Sequence, residues 1–167
     1  AVGDAIAMVL QQKKGFRRED YALLHPGGDL GRRLQLKVAD IMLRGDNIPI
    51  VEEGKDFHAV LREMTERGNL GMVLVVDQSG ALTGIITDGD LRRLLLRTKK
   101  FAPFAQIKAV EVMTRNPKTV EKDAPLSEAL RIMEVKGITS LLIVDSLSRP
   151  EGIIHLHDIL GRGKFLL

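Results

Sequence analysis

The sequence predicts an α/β fold made of two tandem copies of one small β-α-β-β-α unit. Two observations carry this. Gly84-Ile85-Ile86-Thr87-Asp88-Gly89-Asp90 and Gly152-Ile153-Ile154-His155-Leu156-His157-Asp158 share one order of glycine, β-branched pair, polar residue and aspartate. The register also repeats along the chain: Asp77 to Asp145, Gly84 to Gly152 and Asp90 to Asp158 are each 68 apart, and Met64 to Met133 and Gly68 to Gly137 are 69 apart. A period near 70 exceeds the roughly 20–50 residues of solenoid repeats, so two small domains are expected rather than an array.

Each unit opens on a short apolar run beside a proline, Ile48-Pro49-Ile50-Val51 in the first and Lys118-Thr119-Val120 after Pro117 in the second. Proline suits an edge strand or a strand start. A helix follows, because Phe57, Val60, Leu61 and Met64 recur at i, i+3, i+4 and i+7, as do Leu126, Ala129, Leu130 and Met133. Pro125 suits the first turn of the second of these, and Gly68 and Gly137 stand where C-terminal caps are common. Met72-Val73-Leu74-Val75-Val76 and Leu141-Leu142-Ile143-Val144 are continuous apolar runs, expected of strands buried on both faces. Turns at Gln78-Ser79-Gly80 and Ser146 to Pro150 lead into further strands over 82–87 and 151–155. A closing helix then begins at the aspartate. Met42, Met64, Met113 and Met133 recur in both units and read as core.

The chain of 167 residues is long enough for one sizeable or two small domains. Its 44% hydrophobic and 28% charged residues are ordinary for a soluble globular protein. No apolar run reaches the roughly 18 residues of a membrane helix, no signal peptide is apparent, and no cysteine is present. A cytoplasmic location, without disulfides or thiolate metal sites, is the expectation. The net charge of +3 sits entirely in residues 1–37, with seven Lys/Arg against four Asp/Glu; the rest carries 18 of each sign. Neutral repeats with 4% aromatics lack the basic face and stacking platforms of a nucleic-acid binder.

The repeated signature points to a ligand site. A carboxylate at Asp90 or Asp158 accepts two hydrogen bonds from the cis-hydroxyls of a ribose, close to the positive end of the closing helix. Aspartates there are equally ordinary helix caps, and both readings stand. Arg92-Arg93 bring guanidinium groups suited to phosphate or carboxylate. His155 and His157 stand two apart and share a face on a continuing strand. No cysteine or carboxylate spacing completes a zinc set around them, so no metal site is expected.

With those residues in view, positions from about 37 onward resemble a tandem pair of CBS domains, or Bateman module. The resemblance implies two sheets packed about a pseudo-twofold axis, with clefts that commonly bind nucleotides. Carried onto this chain, Asp90 and Asp158 would hold ribose hydroxyls, Thr87 would face a phosphate or sugar oxygen, and Ile48-Pro49 and Pro117-Lys118 would offer backbone groups to a base. His155 departs from the Ser or Thr usual at its position. The expected division is 1–36, 37–103 and 104–167.

Residues 1–36 add a second resemblance. Gly3-Asp4-Ala5-Ile6-Ala7, the Phe16 to Tyr21 segment, His25-Pro26-Gly27-Gly28 with Leu30-Gly31-Arg32, and Val38-Ala39-Asp40-Ile41-Met42 occur in this order where a sugar isomerase (SIS) domain joins the CBS pair in the D-arabinose 5-phosphate isomerase family. That family interconverts D-ribulose 5-phosphate and D-arabinose 5-phosphate for Kdo and lipopolysaccharide synthesis. It implies a catalytic role for His25 in a tetrameric parent, dimers of CBS pairs, and an SIS domain in the same protein as partner. No phosphate loop follows a predicted strand here, so the 167-residue chain is expected to be inactive. No cofactor is expected beyond a regulatory nucleotide, for which CMP-Kdo is favoured. Its ribose suits Asp90 or Asp158, and its phosphate and carboxylate suit Arg92, His155 or His157. A ligand-free oligomerisation scaffold is the alternative.

Overall fold

The computed structural model describes residues 36–67, 70–97 and 106–160; His25 and Gly68 lie outside them. In chain order the elements are α1 (Val38–Ile41), a 3₁₀ turn (Gly45–Asn47), β1 (Ile50–Glu52), α2 (Phe57–Glu66), β2 (Met72–Val76), β3 (Leu82–Thr87) and α3 (Asp88–Arg97). The second repeat supplies α4 (Ala109–Val112), β4 (Thr114–Arg115), α5 (Leu126–Lys136), β5 (Ser140–Val144), β6 (Pro150–His155) and α6 (Leu156–Ile159). The predicted order of elements is observed in both repeats, with one shortening. The strand expected near Lys118 is a single parallel bridge, Thr119 to Leu142, against the three-residue β1. Met42, Met64, Met113 and Met133 are all buried.

The helices stop and start for local reasons. Asp56 caps α2 by accepting from the amide of Ala59 at 3.0 Å, and that bond chiefly holds its carboxyl below the usual range. Gly137 ends α5 in the left-handed conformation, φ +63°, which glycine adopts without strain. Pro125 stands one position earlier than expected, as the N-cap of α5 rather than in its first turn.

One sheet runs β1-β2-β3-β4, with β1 and β2 parallel and the rest antiparallel; the other is the β5-β6 hairpin. Strand β4 belongs to the second repeat by sequence yet pairs Gly84–Ile85 of the first. The reciprocal exchange is present: Leu43 bridges Ile153 through two backbone bonds of 2.8 and 3.1 Å. The short helices follow their strands across. Val38 and Met42 are buried with Leu126, Met133 and Ile154, whereas Ala109 and Met113 are buried with Val60, Val73 and Ile86. Each packing unit therefore takes its first helix from the other repeat.

That exchange explains the two signature glycines. A Cβ on Gly84 would lie 2.6 Å from Met113 Sδ and 3.0 Å from the Thr114 carbonyl oxygen. One on Gly152 would lie 2.7 Å from Met42 Sδ and 3.0 Å from the Leu43 carbonyl oxygen. Only glycine admits the borrowed strand this close. The symmetry lapses at the hairpin ends, where Leu82 donates to the Ser148 carbonyl at 2.8 Å. Its counterpart, Pro150, has no N–H to return the bond.

A third apolar cluster joins the repeats. Ile48, Met72 and Leu74 are buried against Leu142 and Ile153, with Leu43 and Ile85 packed alongside. Alternate residues of β2 and β5, Val73, Val75, Leu141 and Ile143, face the helices instead. Among the described residues, no helix is long and apolar enough to cross a membrane.

Candidate functional site in the crevice between the repeats

The alternation just described fixes where the polar signature residues point. Ile85 lies in the inter-repeat cluster and Ile86 in the helix-side core, so Thr87, two past Ile85, returns to the inter-repeat face. The same count along β6, from Ile153 through Ile154, puts His155 on that face. The ends of β3 and β6 thus bring Thr87 and His155 to equivalent places on the inter-repeat face. Ile48 and Pro49 are buried beside it. The Ile48 amide donates to the Gly45 carbonyl and the Pro49 carbonyl accepts from Leu74, so these two groups are already used.

Asp90 is a buried carboxylate, 6% exposed, and both of its oxygens have partners. Oδ2 accepts from the Thr87 amide at 2.8 Å and from the Thr87 hydroxyl at 2.6 Å. Oδ1 accepts from Arg93 at 2.5 Å and from the Thr114 hydroxyl at 2.9 Å. Burial works to raise the carboxyl's pKa, but these bonds prevail and hold it below the usual range. Thr87 and Asp90 form a capping box at the start of α3. Because Thr114 sits on β4, the box also ties the second repeat to the first.

The arginine that meets Asp90 is Arg93, not Arg92, which is exposed. A spacing of three residues on a helix brings side chains together, whereas a spacing of two does not. Gly89 lacks the Cβ that would stand 3.5 Å from both the Arg93 guanidinium and the Thr87 hydroxyl.

The second repeat builds the same corner from other side chains. His155 caps α6: its Nδ1 accepts from the His157 amide at 3.2 Å, and its own amide donates to Asp158 at 3.2 Å. An accepting Nδ1 leaves the ring proton on Nε2. Partial burial, aided by His157, lowers the His155 pKa against the opposing pull of Asp158. The rings of His155 and His157 meet edge to face, centroids 4.7 Å apart, and His157 is exposed. Across the ladder from His155 stands Ser140, where the first repeat sets Met72 across from Thr87. Among the described residues, no group of three or more His, Asp or Glu is placed to hold a metal ion.

Sequence reasoning missed Thr114 and Ser140, and it named Arg93 only together with Arg92. Arg93 was legible from its helical spacing to Asp90. Thr114 was not, because the strand exchange that delivers it leaves no mark on local pattern.

A groove of about 390 Å³ lies at the far end of the first sheet, between the outer edge of β1 and α2, lined by Glu52, Lys55, Arg62 and Glu63. It shares no residue with the corner around Thr87.

The fold and the paired corners define the class: the chain belongs to the CBS domain family, whose profile matches residues 38–97 and 108–163. Across 162 residues it is 46% identical to the arabinose 5-phosphate isomerase KdsD of Pseudomonas aeruginosa and 41% identical to that of Escherichia coli K12. Both alignments cover 97% of this chain and 48% of the relative, so the chain spans about half the length of these curated relatives. Among solved structures it is similar to a conserved protein of Pyrococcus horikoshii, with TM-score 0.66, 25% identity, and 80% of this chain and 96% of that one covered. It is also similar to the CBS domain pair of protein MJ0100, in complex with 5′-methylthioadenosine and S-adenosyl-L-methionine. There the TM-score is 0.64, identity is 27%, and coverage is 77% of this chain and 98% of the other.

Proposed function

We propose that this CBS pair is the nucleotide- or nucleotide-sugar-sensing module of an arabinose-5-phosphate isomerase acting in Kdo and lipopolysaccharide synthesis. The observation that carries the reading is the pair of polar corners, Thr87-Asp90 and His155-Asp158, set at equivalent strand ends on the inter-repeat face. A neighbour of the same fold is seen in complex with adenosine-containing ligands, and the similarity to KdsD relatives supports the isomerase. The SIS domain as partner follows from the family resemblance of residues 1–36. In the same reading His25 serves the parent's active site, the parent is cytoplasmic, and the ligand is the only small molecule the module needs.

CMP-Kdo, an end product carrying a ribose, a phosphate and a carboxylate, is the favoured ligand. At the first corner a ribose hydroxyl takes the place of Arg93, whose side chain, 66% exposed, then turns from Asp90 toward the phosphate. Regulation follows if the ligand favours one orientation of the isomerase domains over another. Titration calorimetry with CMP-Kdo, CMP, AMP and ATP tests this; the reading expects heat of binding from at least one and fails if all four are silent.

One observation favours a second reading, a ligand-free oligomerisation scaffold. Leu61, Leu95, Leu96 and Val135 are large apolar residues left exposed on α2, α3 and α5. Sedimentation showing a stable oligomer, together with silent calorimetry, would select it.

A further inference from the structure

Strand β1 is the outer edge of the four-stranded sheet. Alternate residues of a strand turn their N–H and C=O groups to opposite edges. Pro49 and Glu53 bond to Leu74 and Val76 of β2, so Ile48, Ile50 and Glu52 turn theirs outward. Turns close two of these outward groups: the Ile48 amide donates to the Gly45 carbonyl, and the Glu52 carbonyl accepts from the Lys55 amide. The Ile48 carbonyl, both groups of Ile50 and the Glu52 amide have no partner among the described residues. That set is its own complement: turned end over end about Ile50, each donor meets an acceptor.

The edge is also open. Val51 is buried with Val60 and Met64 of α2, whereas Ile50 and Glu52 face the opposite side and are exposed. The groove of about 390 Å³ is lined by Ile50 and Glu52 as well as by Arg62 and Glu63 of α2, so it runs along the free edge itself. Its charges balance, Glu52 and Glu63 against Lys55 and Arg62, as a surface that faces its own copy requires. In the second repeat the counterpart of β1 is a single bridge at Thr119, and Glu128 takes the place of Ala59 in the groove.

We infer that β1 pairs antiparallel with β1 of a second copy of this chain, about a twofold axis at Ile50, so that one sheet continues across two CBS pairs. Ile50 exchanges both backbone bonds with the second copy's Ile50, and each Glu52 amide donates to the other copy's Ile48 carbonyl. The exposed Ile50 side chains stand directly opposite one another at the axis, where an apolar cross-strand pair is favourable. Such an interface is isologous and closes on itself. It also covers an edge that otherwise templates uncontrolled pairing. The inference is independent of the ligand-sensing reading, because the groove shares no residue with the polar corners.

Sedimentation of the 167-residue chain should show a concentration-dependent dimer. Ile50→Pro removes the outward N–H and spares the bonds between β1 and β2, and Ile50→Lys sets like charges across the axis. Each should raise the dimer dissociation constant about tenfold or more while circular dichroism stays that of wild type. Ile50→Lys changes a position already exposed in the monomer, so it carries the comparison if the proline variant fails to fold. The chain has no cysteine, and Ile50→Cys therefore places a single thiol at the axis. Mild oxidation should link it into a disulfide dimer, since opposed residues of an antiparallel pair lie about 5.5 Å apart at Cα, within disulfide reach. Leu96→Cys, at the most exposed large apolar residue of α3, should link far more slowly. A wild-type chain that stays monomeric at every concentration up to its solubility overturns the inference. So does an undiminished dimer in folded Ile50→Lys. Faster linking through Leu96→Cys than through Ile50→Cys also overturns it, and assigns the contact to the helices.

Discussion

The Thr114 hydroxyl donates to Asp90 Oδ1 over 2.9 Å, joining the strand that leads into the second repeat to the closing helix of the first. The acceptor is a buried carboxylate whose other oxygen caps its own helix. A residue that sequence alone offers as a ribose ligand thus also holds the two repeats together.

Thr114→Val should therefore cost about 1.5–3 kcal/mol in denaturant unfolding, the range for a hydrogen bond to a charged group. Arg93→Ala should cost less, because its guanidinium is largely solvated. Equal losses from the two would contradict the assignment of Thr114 as the buried partner.

Met42→Ala should loosen the second repeat before the first. The side chain precedes β1 in sequence but is buried against Leu126, Met133 and Ile154, so a loss of about 2–5 kcal/mol is expected. Amide exchange should rise first along β5 and β6, and an earlier rise along β2 would contradict the exchange of first helices.

Gly84→Ala should destabilise by about 1–3 kcal/mol through overpacking. Trimming Met113 at the same time should not restore stability, because the Thr114 carbonyl oxygen, a backbone atom, also stands 3.0 Å from the new Cβ. Full rescue in the double variant, read by thermal unfolding, would place the constraint in the flexible methionine alone.

His155 should make stability fall as the solution is acidified. Its pKa is lower folded than unfolded, so the unfolded chain takes up the proton first. Its contribution is complete above about pH 6.5, the ordinary histidine value, and is lost as pH falls through the lower folded value. Protonation at Nδ1 would also remove the acceptor that caps α6. Melting temperatures measured from pH 8 to pH 5 should drop less for His155→Asn than for wild type. Parallel curves would show that His155 is not the titrating group.

Much of the fold was legible because its signals are local. The i, i+3, i+4, i+7 spacing gave α2 and α5, and the uninterrupted apolar runs gave β2 and β5. Gly84 and Gly152 stood out by their register, but their cause did not. Each answers a methionine of the other repeat, 29 and 110 positions away, and no periodicity reports a strand exchange. The site was half legible for the same reason. Thr87 and His155 emerged from the duplication, whereas Thr114 and Ser140 depend on which backbone lies alongside. Arg92 and Arg93 were both legible beside the signature, and helical spacing decides that Arg93 is the one that pairs with Asp90.

The most direct test of the account is a backbone NMR titration of the 167-residue chain with CMP-Kdo. The largest shift changes should fall on Thr87, Asp90, Ser140 and His155, the polar corners of the inter-repeat crevice. Changes confined to the groove beside β1 and α2, or a spectrum that CMP-Kdo, CMP, AMP and ATP all leave untouched, would contradict it.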